Sequence, residues 1–131
     1  MDSRIRALYK IDPDLEGPAM ARRIVANELS DHVSDRVLED VQLMVSELVT
    51  NGIVHGSAQD DDPVMLDLCL NGVIECHVLD HGAGFATRFR KDRVEDSPGR
   101  WGLQVVEQLS DLWGMQCSPQ RTEVWFVREF A

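Results

Sequence analysis

The sequence predicts an α/β sandwich in which a mixed, mostly antiparallel sheet of four or five strands carries its helices on one face. Short apolar segments typical of strands occur near the beginning, in the middle and at the end of the chain, and segments with helical apolar spacing lie between them. The chain has 131 residues, of which 44% are hydrophobic. This size and composition predict one domain, residues 1–131, with a core that needs no covalent cross-links.

The N-terminal elements are a strand and a helix. Residues Ile5–Ile11 predict a strand, which Asp12 and Pro13 end. Pro18 suits the first turn of a helix, and an apolar stripe continues from there to Leu29.

A longer helix is expected at 35–55. Its apolar residues occupy nearly all faces of the helix, and a helix of this kind is buried. Asp40, Glu47 and Asn51 are then polar groups on a largely buried helix and need partners. Glu47 and Asn51 are four residues apart, so their side chains project from one helix face.

A β-hairpin follows. Val64–Leu70 and Val73–Leu79 are strand-like, and Asn71-Gly72 is a favoured two-residue turn. Asp80 shares a strand face with the apolar residues Ile74, Cys76 and Val78. An ionised carboxylate at that position needs a donor.

The other face of the sheet is expected to carry the hairpin residues Leu66, Leu68 and Leu70. If exposed, they would form an apolar patch suited to a homodimer or to a partner.

The C-terminal third predicts a charged loop, a helix and a strand. Residues 86–98 are charged and irregular, and the sequence GRWG then opens a helix at Leu103–Trp113. Gly114 is expected to stop this helix. A last strand is expected at Thr122–Phe130.

Composition argues against several classes of function. The formal charge is −10, from 23 acidic and 13 basic residues, which argues against direct nucleic-acid binding and against an anionic membrane surface. The three cysteines include no CxxC pair, which argues against disulfides and zinc. No apolar run approaches the roughly 18 residues that span a membrane, and the N-terminus lacks the apolar region of a signal peptide. We therefore expect a cytoplasmic protein.

Three polar or glycine-rich segments occur along the predicted helices and strands. Each of them, taken alone, has an ordinary structural interpretation. Glu47 and Asn51 could form a hydrogen bond on a helix face, residues 80–84 (DHGAG) could be a turn, and residues 99–102 (GRWG) could be a plain helix entry.

Together and in this order, the three sites resemble the GHKL ATPase superfamily. The matching segments are ELVTNGIVH, DHGAGF and GRWGLQVVEQLSDLWG, followed by a closing TEVWF strand. This wording is most similar to the anti-sigma-factor serine kinase branch. The resemblance covers nearly the whole chain and implies a Bergerat-type ATP-binding fold, with ATP between the helices and the sheet.

The resemblance also implies the roles of individual residues at the base. Asp80 would accept the exocyclic amine of adenine, and Thr122 would support that contact. Gly82 and Gly84 would let the backbone approach the base without an obstructing Cβ.

At the phosphates, Asn51 would bind Mg²⁺ and residues 86–98 would be the lid. Gly99, Arg100, Gly102 and Leu103 would wrap the phosphates, with helix N–H groups pointing at them. Five basic residues gather in or beside the lid: Arg88, Arg90, Lys91, Arg93 and Arg100.

Glu47 is the expected catalytic residue, as general base toward a protein serine hydroxyl; the alternative is that it holds Asn51 in place. The sequence departs from the usual family wording at Trp101, where glycine is common, and at Gly52, where alanine is usual.

These residues leave several functions open. The first is an ATP-binding anti-sigma factor that phosphorylates an anti-anti-sigma (STAS-like) partner and binds a sigma factor. The second is a nucleotide-dependent protein-binding module with little or no catalysis. A histidine-kinase catalytic domain would also need a phospho-acceptor helix pair, for which 131 residues leave no room. A fold that binds no nucleotide is the remaining alternative.

Overall fold

The computed structural model describes residues 4–56, 62–81, 98–119 and 121–130, with backbone alone at 55, 56 and 98–102. Within them lies a five-stranded sheet of order β1-β2-β3-β5-β4, in which every neighbouring pair is antiparallel. The strands are β1 (Ile5–Ile11), β2 (Val64–Leu70), β3 (Ile74–Asp80), β4 (Leu112–Ser118) and β5 (Arg121–Arg128). The predicted α/β sandwich is confirmed, with a sheet that is wholly antiparallel.

The described helices are α1 (Gly17–Leu29), α2 (Asp35–Asn51) and α3 (Pro98–Leu109), and they pack on one face of the sheet. Pro18 occupies the first turn of α1, as predicted. Ser34 caps the N-terminus of α2: its side chain accepts a hydrogen bond from the backbone N–H of Val37 at 3.3 Å. None of the described helices is both long and apolar enough to cross a membrane.

The C-terminal turn of the predicted 35–55 helix differs from the rest. The α-helix ends at Asn51, and residues Gly52–Gly56 continue as a π-helical segment. Gly52 packs closely on the sheet, since a Cβ there would lie 3.2 Å from Cγ2 of Val64 and 3.7 Å from Cβ of Asp80. The end of α2 therefore rests against the start of β2 and the end of β3.

The hairpin between β2 and β3 differs from the prediction in its register. Leu70 pairs with Ile74, so three residues, 71–73, connect the strands, with Gly72 at a φ of +77°. A two-residue turn would instead have paired Leu70 with Val73. Because side chains alternate along a strand, this single-residue difference moves one strand's apolar residues to the opposite face.

The predicted exposed leucine patch is therefore wrong. Leu66, Leu68 and Leu70 are all 0% exposed and pack in the core under the helices. They lie opposite Val78, Cys76 and Ile74 on the same face of the sheet. The dimer surface expected from these leucines does not exist.

The C-terminal helix also ends earlier than predicted. It stops at Leu109, and Leu112 and Trp113 begin strand β4, which the sequence reading missed. Gly114 is not a helix stop but lies in β4 directly opposite Trp125 of β5. A Cβ at Gly114 would be 2.6 Å from Cζ2 of Trp125, so the indole ring occupies the space that a larger residue would need.

An ion pair joins the helical layer to the sheet. Arg128, at the end of β5, donates from Nη2 to Oδ2 of Asp40 on α2 at 3.0 Å, and both side chains are about four-fifths buried (20% and 21% exposed). Asp40, a polar residue on a mostly apolar helix, thus has the partner that its burial requires.

Candidate functional site

Helix α2 presents the predicted Glu47–Asn51 pair. Asn51 is the last residue of the α-helix and is 5% exposed, while Glu47 is half-buried. One helical turn separates them, so the carboxylate and the carboxamide lie on the same face. The close packing of Gly52 brings this end of α2 against the end of β3.

Asp80 and Thr122 lie on the sheet beneath that helix end. They are directly opposed residues of β3 and β5, and they are only 5% and 1% exposed. Their strands position them on the helix-covered face, in line with the apolar residues Val78 and Val124. Asp80 and Thr122 are 42 positions apart in the sequence, and the structure brings them together, as expected for two residues that the family resemblance implies at one contact.

Cys117 of β4 is a neighbour that sequence reasoning missed. It is directly opposite Thr122, so Asp80, Thr122 and Cys117 form a continuous row across three strands, here called the polar row. Cys117 is exposed, unlike the other two members. The sequence offered no signal for this placement, because it depends on strand β4 and its pairing with β5.

Two members of the polar row, Thr122 and Asp80, affect the pKa of the third, Cys117. Although Cys117 as a whole is exposed, partial burial of its thiol raises the pKa, a hydrogen bond with Thr122 lowers it, and the negative charge of Asp80 raises it; the net direction is upward. The pKa of Cys117 therefore depends on both polar neighbours, and its thiol is protonated at neutral pH.

The remaining predicted site residues belong to the two glycine-rich segments and the lid. Gly82, Gly84 and lid residues 86–97 lie outside the described residues. Gly99, Arg100 and Gly102 belong to the first turns of α3, which begins at Pro98 rather than at the predicted Leu103. The side chain of Leu103 is partly buried and packs against the core, so a role toward a ligand would fall to its backbone.

The oxygens of Asn51 and Glu47 fit a magnesium ion that takes most of its ligands from phosphates and waters. Among the described residues, no three His, Cys, Asp or Glu side chains gather in a metal-binding cluster. Magnesium commonly uses one or two protein oxygens together with substrate phosphates and waters. Asn51, with the Glu47 carboxylate one turn away, offers oxygens of the right kind for such an ion.

Comparisons with known proteins identify the family and a similar fold. Residues 11–128 match the family model described as the histidine kinase-like ATPase domain. The fold is similar to the structure of the RsbU and RsbW domains of Rv1364c from Mycobacterium tuberculosis, with a TM-score of 0.77 at 18% identity, over 96% of this chain and 32% of that one. The chain thus spans about one third of the length of that structure. No curated protein matches the chain.

Proposed function

Because the chain belongs to the histidine kinase-like ATPase domain family, we propose that it is an anti-sigma factor that binds Mg-ATP and phosphorylates a serine of an anti-anti-sigma, STAS-like protein. The proposal assigns it to the cytoplasm, where sigma factors act. Four features support this function: the Asp80–Thr122 pair, the end of α2, the start of α3 and the position of Glu47.

The buried Asp80–Thr122 pair is the observation that carries the proposal. The two polar side chains are 5% and 1% exposed, and they lie side by side at the end of β3, on the face of the sheet that the helices cover. An adenine ring presents an exocyclic amine, which the Asp80 carboxylate can accept, and Thr122 beside it can contribute a hydroxyl to the same purine edge. Asp80 and Thr122 would thus form the purine end of the site.

The phosphate end would lie toward α2 and α3. Asn51 would hold a magnesium ion that neutralises phosphate charge. The backbone N–H groups in the first turn of α3, which begins at Pro98, lack partners within the helix and can donate to phosphate oxygens. The basic residue Arg100 occurs in this same turn.

Glu47 would act on the phosphoryl acceptor. In the proposed reaction the serine oxygen of the partner attacks the γ-phosphorus, the bond from that phosphorus to the β,γ-bridging oxygen breaks, and ADP leaves. Glu47 takes the serine proton as the new P–O bond forms. Its half-buried position, one turn before Asn51, would place the carboxylate at the edge of the phosphate end, where a partner's hydroxyl can reach it.

A second candidate is a nucleotide-dependent binding module that has little or no catalysis. It is favoured by an asymmetry in the site: Asn51, Asp80 and Thr122 are all buried, while catalysis would rest on Glu47 alone. Such a protein would exchange a sigma factor for another partner according to the nucleotide that it holds.

One experiment separates the two candidates. The purified chain is incubated with γ-labelled ATP, Mg²⁺ and a candidate STAS-like partner, and the partner is analysed for phosphoserine. Phosphoserine that is lost in Glu47→Gln supports the kinase. Tight ATP binding with no phosphoserine, and no effect of Glu47→Gln on partner binding, supports the binding module.

A further inference from the structure

The polar row extends the proposed purine end by one residue toward solvent. Asp80, Thr122 and Cys117 occupy successive strands β3, β5 and β4, and Thr122 is the Cα partner of both neighbours. Strand β4 is at the edge of the sheet, so Cys117 is the last member of the row. Residues paired across antiparallel strands point to the same face, so all three side chains project toward the helical layer.

Cys117 differs from the two other cysteines of the chain in its surroundings. Cys76 is 0% exposed in the core, and Cys69 is half-buried on β2, on the opposite face of the sheet. Cys117 is exposed and lies on the same face of the sheet as its strand partner Thr122.

The thiol is in contact with Thr122, one member of the buried pair. Cys117 and Thr122 share a hydrogen bond between their side chains, and the Asp80 carboxylate is close enough to influence the thiol. A hydroxyl that is held by a neighbour has fewer orientations to lose when a ligand binds, and such preorganisation increases affinity. Cys117 is therefore placed to fix the orientation of the Thr122 hydroxyl.

We propose that Cys117 is a positioning residue of the purine end, which holds the Thr122 hydroxyl in its binding orientation and is covered when a purine nucleotide binds. This inference rests on the proposed function, because it requires a nucleotide at Asp80 and Thr122. It adds a residue that neither the sequence motifs nor the family resemblance assign.

The first test measures the reactivity of the thiol. The full chain is treated with N-ethylmaleimide with and without saturating Mg-ATP, and the labelling of each cysteine is followed by peptide mass spectrometry. At about 100 times the Kd of ATP, the labelling rate of Cys117 is expected to fall about ten-fold or more. Cys69 is the internal control, because it lies on the opposite face of the sheet, and its labelling rate should stay constant.

The second test separates positioning from a merely structural role. Cys117→Val removes the hydrogen-bonding group and is expected to weaken ATP binding about three- to ten-fold. Cys117→Ser keeps a group that can bond to Thr122 and should stay within about two-fold of the parent chain. In a Thr122→Val background, the change from cysteine to valine should have no further effect, because the hydroxyl that it positions is absent.

The outcomes distinguish this inference from the proposed function. If calorimetry shows ATP binding but Cys117 is labelled equally fast with and without ATP, the assignment of Cys117 is wrong and the proposed function stands. Equal affinities of the parent chain and Cys117→Val would also overturn it. If ATP does not bind the parent chain at all, the proposed function itself fails.

Discussion

Asp80 and Thr122 are directly opposed on β3 and β5, and both polar side chains are almost completely buried. Two elements make this arrangement possible. The antiparallel register of β3 and β5 pairs the two residues, and the close approach of Gly52 places the end of α2 over Asp80. The pair thus links the helix that carries Glu47 and Asn51 with the edge strand that carries Cys117.

Substitutions of Glu47 and Asn51 should affect different quantities, the rate of phosphoryl transfer and the binding of Mg-ATP. Glu47→Gln is expected to lower the rate of phosphoryl transfer to a partner serine about 100-fold or more, since a general base typically contributes that much. It should leave the Kd of Mg-ATP nearly unchanged. Asn51→Ala should weaken binding of Mg-ATP itself, because it removes the oxygen proposed to hold the ion.

Single-turnover transfer and calorimetry measure these two quantities separately. Gln42→Ala is a suitable control, because Gln42 lies on the same helix and its side chain donates to the backbone of Arg22 instead. A Glu47→Gln variant that transfers phosphate at the parent rate would exclude general-base catalysis by this residue.

The reactivity of Cys117 should report the charge on Asp80. The negative carboxylate contributes to the raised pKa of the thiol, so Asp80→Asn should lower that pKa. Only the thiolate reacts, so the labelling rate rises with pH through the pKa. The pH–rate curve of Asp80→Asn should therefore lie at lower pH than that of the parent chain.

Labelling by N-ethylmaleimide between pH 7 and 10, without nucleotide, measures the two curves. Cys69, on the opposite face of the sheet, should show the same curve in both proteins. A Cys117 curve that does not move would mean that Asp80 and Cys117 are not electrostatically coupled.

The Asp40–Arg128 pair should matter more for stability than an exposed pair. Arg128→Met leaves the mostly buried Asp40 carboxylate without this partner and is expected to cost about 1 to 2 kcal/mol, between the values for exposed and buried pairs. Arg6→Met is the matched control: Arg6 is 78% exposed and lies 3.4 Å from Asp67. Its loss should cost less than about 0.5 kcal/mol.

Urea unfolding followed by circular dichroism measures both variants. Equal free energies of unfolding for Arg128→Met and Arg6→Met would show that the ion pair between α2 and β5 does not stabilise the fold.

Gly114 should be intolerant of a side chain. Gly114→Ala places a Cβ 2.6 Å from Cζ2 of Trp125, so the indole ring must move. Such overpacking is expected to destabilise the chain by about 1 to 2 kcal/mol. In a Trp125→Leu background the same substitution should be neutral or stabilising, because the ring is gone and glycine is unfavourable within a strand. Urea unfolding of the four proteins completes this double-mutant cycle, and an equal cost in both backgrounds would contradict the steric explanation.

Apolar periodicity was sufficient to predict most of the elements. It identified β1, the hairpin strands and α2, because a strand with one buried face and a buried helix leave strong patterns in the sequence. It also predicted that Asp80 extends the apolar face of its strand, and the structure confirms this. That face is where the polar row forms.

The register and the edge strand could not be predicted in the same way. Asn71-Gly72 is a signal for a two-residue turn, but Gly72 adopts its positive φ within a three-residue connection, which puts Leu66, Leu68 and Leu70 in the core. The β4 segment LWGMQCS begins with residues that continue the apolar spacing of the preceding helix. It forms a strand because it pairs with β5, and local sequence patterns do not reveal that pairing. Without β4, Cys117 had no neighbours, so its place beside Thr122 could not be found.

The binding of Mg-ATP to Asp80 is tested most directly by calorimetric titration of the parent chain, Asp80→Asn and Asp67→Asn. Asp67 is a half-buried aspartate on the opposite face of the same sheet, so its variant controls for loss of a strand carboxylate. We expect the parent chain and Asp67→Asn to bind ATP with similar Kd. Asp80→Asn should bind about 10- to 100-fold more weakly, the loss expected for a hydrogen bond to a charged group. An Asp80→Asn variant that folds and binds ATP as tightly as the parent chain would contradict the proposed site.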